Sequence, residues 1–240
     1  MCTVIFLPFK NKFHFASLRD ESPERIQALP PDIYNISGVK FVAPLDGLAS
    51  GTWVGASCFG NIIILLNGAF ANHIRGSNYR LSRGLIVKAL LLQETPVTAW
   101  QQMDLQKIEP FTLVVWQQQQ LYELVWDGQQ KHNQQFVITK PHIWSSSTLY
   151  NAAAKQQRHE AFQKWWAIEP RISKQSMLSF FQSVADQQNG FLIHRSPKMK
   201  TLSFTFLTQD AATTSCYYHD FLNGTCSTQQ LFTRQLFIVP

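Results

Sequence analysis

Short apolar runs that follow one another across a few turn residues constrain this 240-residue chain more than any other feature. Four such β-patterned runs occupy residues 3–9, 13–18, 52–57 and 61–66. Asn11-Lys12 joins the first two and Phe59-Gly60 the last two, and both dipeptides suit tight hairpins. Strands joined this closely run antiparallel, because a parallel pair needs a crossover of about a dozen residues. The pattern therefore predicts antiparallel sheets.

Helical patterns come in pairs rather than in strict alternation with strands. Ser82 is placed as the N-cap of an apolar helix that runs to about Gln93, and Thr95-Pro96 repeats the start signal. Two further helices are predicted at residues 151–166 and 173–185, and six further strand runs at residues 111–116, 121–126, 136–139, 202–207, 215–219 and 231–238. This order predicts an α+β fold with helices covering antiparallel sheets, in one domain over residues 1–240 because no linker interrupts it.

Two segments lack a regular pattern and are predicted as loops. Residues 19–51 are interrupted by Pro and Gly, and a loop of that length in a compact domain is usually functional. The Gln-rich residues 129–135 are short enough to be a loop after the strong turn signal Asp127-Gly128.

Charge and composition narrow the class of partner. The net charge is +6, but Lys and Arg never form a run of five, so we predict no nucleic-acid partner. No apolar stretch approaches the roughly 20 residues of a membrane span, and the N-terminus lacks a signal-peptide pattern, which predicts a cytoplasmic protein. Neither the cysteines nor the histidines have the spacing of a metal site, so we expect no metal and no cofactor. Two disulfides are conceivable, but Cys58, Cys216 and Cys226 are predicted to be buried hydrophobes.

Cys2 is the sharpest candidate for chemistry. Removal of the initiator Met would leave a thiol and an α-amine on one residue, and an amine with a pKa of about 7.7–8.0 can accept the proton of the nucleophilic thiol. No separate histidine base is then required. The competing interpretation is that Cys2 is a small buried residue at the start of a strand.

Three further positions carry candidate polar groups. Arg19-Asp20 follows the second strand run, where a hairpin returns the chain to the neighbourhood of Cys2; the pair would favour thiolate and orient the amine, or simply be a solvated charge cluster. Asn67 at the end of a strand could stabilise an oxyanion or be a turn residue. Arg83 at a helix start could hold an anionic group or be an ordinary surface cation.

Several motifs in order resemble one known family. They are Met1-Cys2-Thr3, the run Phe-Ala-Ser-Leu-Arg-Asp-Glu-Ser-Pro-Glu-Arg at residues 15–25, Ser-Gly-Thr-Trp-Val-Gly at 50–55, Leu66-Asn67, Ser82-Arg83-Gly84 and residues 143–150. They resemble the NRDE proteins, also called the transport-and-Golgi-organisation-2 family, which is similar to N-terminal nucleophile hydrolases. The resemblance implies a four-layer αββα sandwich in which Cys2 attacks a non-peptide C–N amide bond through an acyl-thioester. It also implies that Arg19 and Asp20 lie beside Cys2, that Asn67 lies in the oxyanion hole, and that Arg83 and Ser146 contact substrate.

The chain also departs from that family. Leu18 stands where the family has Asn, and Leu202 stands where it has Arg, so two polar contacts are lost. These losses leave open a non-catalytic carrier or chaperone of haem or acyl and lipid ligands on the same scaffold, as some members of the family have been linked to haem handling and lipid metabolism. The expected partner is accordingly a small-molecule amide, acyl or haem-like ligand. A purely structural interaction module is a third alternative, favoured only by the low content of charged residues and the Gln-rich loops.

Overall fold

The computed structural model describes residues 3–74, 76, 78–168 and 171–234. In chain order its elements are β1 (Thr3–Phe9), β2 (Lys12–Glu21), β3 (Leu29–Ile36), β4 (Val39–Leu45), β5 (Val54–Ser57), β6 (Ile62–Asn67), α1 (Arg83–Leu91), α2 (Pro96–Gln102), β7 (Phe111–Gln117), β8 (Gln120–Trp126), β9 (Lys131–Phe136), β10 (His142–Ser145), α3 (Ala152–Ile168), α4 (Lys174–Ser183), β11 (His194–Ser196), β12 (Met199–Gln209), β13 (Thr213–Asp220) and β14 (Thr225–Phe232).

The strands form two antiparallel sheets. The first has the order β10-β1-β2-β12-β13-β14, with β11 paired to β12, and the second runs β3-β4-β5-β6-β7-β8-β9. The β1–β2 hairpin turns through Lys10 and Asn11, with Lys10 at a φ of 55° and Phe9 opposite Lys12. Thr3 lies opposite Leu18 on one side and Ser145 on the other, so β1 is a central strand.

Alternation along the strands separates two hydrophobic cores. Phe6 and Phe15 of the first sheet pack between the sheets against Trp116 of the second, with ring centroids 5.8 and 6.0 Å apart. Leu18 and Phe204 face the opposite way, into a core with α3 and α4, where Phe204 lies 5.5 Å from Phe181.

The second sheet is covered by the other helix pair. Leu90 of α1 is fully buried over β5 and β6, and Trp100 of α2 packs edge-on against Phe111 at 5.5 Å. The layers are therefore α1/α2, second sheet, first sheet and α3/α4. The predicted α+β fold with an αββα sandwich is confirmed.

Most predicted elements occur in the structure. Ser82 caps α1 by accepting a hydrogen bond from the Gly84 amide, and α1 ends at Leu91, two residues before the predicted end. Pro96 opens α2, and Ser173 caps α4 with a capping box. Both predicted hairpins, β1–β2 and β5–β6, form with turns at or beside the predicted dipeptides.

The prediction of a loop over residues 19–51 is wrong. β2 continues to Glu21, and β3 and β4 form a hairpin across most of the remainder. Pro30 and Pro31 concealed this, because proline weakens a strand prediction although it is tolerated on an edge strand such as β3.

Two other strands lie earlier than predicted. β9 occupies residues 131–136 instead of 136–139, so the prediction of a loop over the Gln-rich residues 129–135 is wrong. β14 occupies 225–232 instead of 231–238; residues 235–238 lie outside the described residues. Each is the last strand in its sheet, and its solvent-facing polar side chains interrupt the apolar alternation. The short strands β10 and β11 had no prediction.

The cysteine predictions hold in part. Cys58 and Cys216 are free and buried, and burial raises the pKa of the Cys216 thiol to about 12. Cys226 is free but exposed, with its Sγ 3.1 Å from the Tyr217 hydroxyl, so its predicted burial is wrong. Its position on the last strand of the sheet leaves it open to solvent. Cys2 lies outside the described residues.

Candidate functional site

A cleft of about 850 Å³ opens where β2 ends, beside the segment between β4 and β5 and the start of α1. Of the predicted site residues, Arg19, Asp20, Asn67 and Arg83 all line it. They come from three separate parts of the sequence, and the meeting of β2, β6 and α1 brings them together.

Arg19 is buried on the face of β2 that looks towards the second sheet. Its side chain is 7% exposed, its Nη2 donates to Asp46 Oδ2 at 3.0 Å, and its guanidinium carbon stacks 4.5 Å over the Trp53 ring. The preceding Leu18 points to the helix side and is fully buried there. The departure from the family pattern at Leu18 is therefore accommodated in an apolar core.

Asp46 is the hub of an ion-pair network. It accepts two hydrogen bonds from Arg25, at 2.9 and 3.1 Å, in addition to that from Arg19. The amides of Leu48 and Ala49 also donate to its Oδ1. Burial is the largest influence and raises the pKa of Asp46, but the Arg25 and Ala49 hydrogen bonds and the two guanidinium charges together hold that pKa below its usual value. Asp46 thus keeps Arg19 fixed and charge-compensated.

Asp20 is held from the other face of β2. The Tyr150 hydroxyl donates to its Oδ2 at 3.0 Å, and the Thr201 hydroxyl donates to its Oδ1 at 2.7 Å. Asp20 is 3% exposed, so these two bonds set the plane of its carboxylate. A β-bulge between Thr201 and Ser203 of β12 accompanies this arrangement.

Arg158 of α3 connects this region to the first described residue. It is 1% exposed and donates to the Thr3 hydroxyl, to the Gly190 carbonyl and, at 2.9 Å, to the Ser145 hydroxyl. Its guanidinium lies 4.0 Å over the Tyr150 ring and 4.4 Å over that of Phe191. One buried cation therefore fixes both the start of β1 and the tyrosine that holds Asp20.

Asn67 ends β6 and is followed by a glycine that the geometry requires. Gly68 has a φ of 80°, and a Cβ there would lie 2.8 Å from Thr148 Cγ2. Ser146 donates to the Asn67 carbonyl at 2.7 Å, which anchors the main chain at the cleft. Ser146 itself lines a neighbouring cavity of about 470 Å³ rather than the main cleft.

Arg83 faces a carboxylate across the cleft. Its Nη2 is 3.2 Å from Glu109 Oε2, its Nη1 donates to the Pro110 carbonyl, and His73 Nε2 lies 3.4 Å from Glu109 Oε1. The segment containing Arg83 packs by its backbone, since a Cβ on Gly51 would lie 2.5 Å from the Gly84 carbonyl carbon. The Ser-Gly-Thr and Ser-Arg-Gly motifs thus meet through their glycines.

Sequence reasoning missed several of the groups that build the cleft. Asp46 lies in the segment predicted as a loop and was not singled out, although it pairs with both Arg19 and Arg25. Trp53 and Arg25 lie within motifs quoted for the resemblance, and that is the signal that could have found them. Tyr150 has the same signal, since it ends the motif quoted at residues 143–150, whereas Thr201 gave no signal beyond its residue type.

The described residues contain no group of three or more His, Cys, Asp and Glu side chains that could hold a metal ion. Within the same residues no helix is both long enough and apolar enough to cross a membrane. Neither finding assigns a partner, and the chemistry of the cleft is set by the side chains described above.

The family model for transport and Golgi organisation 2 matches residues 1–222. The chain belongs to this family. A search among curated protein sequences gives no match.

Solved structures with a similar fold include an amidase and a conjugated bile acid hydrolase. An N-acylethanolamine-hydrolyzing acid amidase orthologue from Caenorhabditis elegans matches with a TM-score of 0.61 and 13% identity, over 86% of this chain and 92% of the other. A variant of the conjugated bile acid hydrolase from Clostridium perfringens matches with a TM-score of 0.63 and 9% identity over 100% of both chains. A second variant of that hydrolase gives 0.61 and 8% over 98% and 97%. At these identities the likeness concerns the fold.

Proposed function

We propose that the chain is a cysteine N-terminal nucleophile amidohydrolase or acyltransferase that acts on a non-peptide C–N amide bond through an acyl-thioester on Cys2. The observation that carries the proposal is the placement of Arg19, Asp20 and Asn67 in one cleft of about 850 Å³. Thr3, which follows Cys2 in sequence, lies opposite Leu18, which directly precedes Arg19. The fold neighbours described above include an amidase and a conjugated bile acid hydrolase, which supports amide chemistry for this proposal.

In this proposal the α-amine of Cys2 takes the thiol proton as sulfur attacks the amide carbonyl carbon. The C–N bond then breaks, the leaving amine takes that proton, and the acyl group stays on sulfur. Asn67 donates to the oxyanion, Arg19 favours thiolate, and Asp20 orients the amine. Water or a second amine finally attacks the thioester, which gives hydrolysis or acyl transfer.

The lining of the cleft favours a polar amide over the alternative haem or acyl carrier. Among its described lining residues are three arginines and four carboxylates, which nearly cancel in charge. A polyanionic ligand would meet repulsion there, and an apolar ligand would have to desolvate ionised groups. A reactive thiol also suits a reducing compartment, so we place the activity in the cytoplasm.

Intact-mass spectrometry tests the nucleophile directly. The purified protein should lack Met1, and treatment with 4-nitrophenyl acetate should add one acetyl group that hydroxylamine removes, as expected for a thioester. Cys2→Ala should abolish this adduct while circular dichroism and the thermal transition stay unchanged. Retention of Met1, or an adduct that persists in Cys2→Ala, would refute the proposal.

Cys226→Ala is the matched control, because Cys226 is the exposed free thiol of the described residues. This variant should acetylate at the wild-type rate if the reaction belongs to Cys2. Titration with haem and with an acyl-CoA distinguishes the amidohydrolase from the non-catalytic carrier. The carrier requires binding at micromolar ligand without turnover.

A further inference from the structure

A second cleft, of about 570 Å³, lies at the opposite end of β2 from the first. It is formed by the β1–β2 turn, the start of α4 and the outer face of β12 and β13. Lys12, in its lining, is seven residues from Arg19 along β2, which corresponds to roughly 23 Å of strand. Its volume falls in the range of about 300–1,000 Å³ that is usual for small-molecule sites. The two clefts are therefore separate places on the molecule.

The interior of this second cleft is apolar and aromatic. Phe206, Tyr217 and Ile172 line it, together with His14. The His14 ring is 5% exposed, stacks on Phe206 with centroids 5.6 Å apart, and is held by Thr208 through a 3.0 Å hydrogen bond. Burial, followed by the charge of Lys12, lowers the pKa of His14 to about 4, so the imidazole is neutral at physiological pH. This surface suits the apolar body of a ligand.

The rim of the same cleft concentrates positive charge. Lys10, Lys12 and Lys174 line it, and no carboxylate is among the described lining residues. Lys12 Nζ lies 3.8 Å from Asp210 Oδ2; Asp210 is not among the lining residues, and an exposed pair of this kind offsets the charge of Lys12 only weakly. Lys174 is the first residue of α4, whose first turn has no acidic side chain, and its Nζ lies 4.3 Å over the Tyr217 ring.

The three like charges around this opening have no carboxylate among the described lining residues to offset their mutual repulsion. A lysine in the first turn of a helix opposes the positive end of the helix dipole, and it adds to two other lysines around the same opening. An anion placed between them would remove the repulsion, and an apolar body attached to it would cover the aromatic interior. Sites that depart from local stability rules in this way are commonly functional.

We propose that the second cleft binds a small amphipathic monoanion, with its negative group among Lys10, Lys12 and Lys174 and its apolar body against Phe206 and Tyr217. The site goes beyond the proposed amidohydrolase activity and does not depend on it. Its occupant is a small molecule because the cleft, although open to solvent, has a volume of ligand size.

Isothermal titration calorimetry of the full chain with octanoate, acetate and 1-octanol tests whether binding needs both the negative group and the apolar body. Octanoate should bind at one site, while acetate, which lacks the apolar body, and octanol, which lacks the charge, should each bind at least tenfold more weakly. Lys12→Ala and Lys174→Ala should each weaken octanoate by about threefold, as expected for a partly exposed charge. Lys140→Ala, which removes an exposed lysine outside the cleft, is the matched control and should change nothing.

Lysine acetylation followed by mass spectrometry measures separately where octanoate binds. Octanoate should protect Lys10, Lys12 and Lys174 and leave Lys140 as reactive as before. Absence of octanoate binding, equal affinity for octanol, or protection that spares all three rim lysines would overturn the proposal. Because Cys2→Ala should still bind octanoate, failure of this site and failure of the amidohydrolase proposal give different results.

Discussion

Replacement of Arg158 should be the most damaging single change to the support of the candidate site. Its guanidinium is 1% exposed and donates to oxygens of Thr3, Ser145, Asn189 and Gly190. An apolar side chain at this position leaves those acceptors facing a space that no donor fills. The contact between α3 and the start of β1 is lost with it.

The loss of unfolding free energy in Arg158→Met is the difference between the hydrogen bonds that are lost and the desolvation cost that is recovered. Hydrogen bonds to a charged group are worth about 1.5–3 kcal/mol each, so the four acceptors of Arg158 represent a gross stabilisation of about 6–12 kcal/mol. Removal of the buried cation also recovers its desolvation cost, which is several kcal/mol. Arg158→Met keeps most of the aliphatic packing, and the net loss of unfolding free energy should be about 3–5 kcal/mol.

Urea unfolding followed by tryptophan fluorescence measures this loss as a lower midpoint at unchanged slope. Arg195→Ala is the matched control, since Arg195 also lies over the Tyr150 ring, at 4.9 Å, but is partly exposed; it should cost less than about 1 kcal/mol. A loss below about 1 kcal/mol for Arg158→Met would show that this guanidinium network stabilises nothing.

Two further changes probe the other side of the cleft. Asp46→Asn leaves the buried Arg19 without its carboxylate and should cost about 3 kcal/mol at neutral pH. Because the pKa of Asp46 is lowered in the fold, its contribution is lost as the pH falls through that value, so urea midpoints of variant and wild type should converge in acid. Gly51→Ala places a Cβ 2.5 Å from the Gly84 carbonyl carbon and should cost about 1–3 kcal/mol in the same assay, and an unchanged midpoint would contradict that close packing.

Periodicity predicts the architecture well because most strands are buried on at least one face. β6 and β7 are almost entirely apolar, and the caps Ser82 and Ser173 mark helix starts by local hydrogen bonding that the sequence displays directly. Prediction failed on β3, β9 and β14, where a strand at the end of a sheet carries proline or polar residues without leaving the sheet, and it also missed β4 and the short strands β10 and β11.

The sequence predicts those residues of the candidate site that lie in local motifs, but not their partners that are distant in sequence. Arg19 and Asp20 could be placed by hairpin register, and the structure brings both to the cleft. The partnership of Arg19 with Asp46, 27 residues away, depends on how β4 and β5 lie over β2, and no pattern in the chain encodes that crossing. The burial of Arg158 beside the apolar residues Ala154 and Phe162 of α3 is likewise a tertiary property. Sequence thus identifies the candidate groups, and the fold supplies their partners.

Side chains of β2 alternate between the two faces of the first sheet, so the polar residues of the cleft are held by groups from the layers on both sides of that sheet. Adjacent residues of a strand point to opposite faces, so Arg19 is held by Asp46 from the second sheet while Asp20 is held by Tyr150 from the helix layer. Leu18 shares the helix-facing side and packs in its apolar core, so the family departure at that position leaves both supports intact. A neighbouring cation and carboxylate can therefore remain close in sequence and yet be oriented independently, which is what the proposed roles of thiolate stabilisation and amine orientation require.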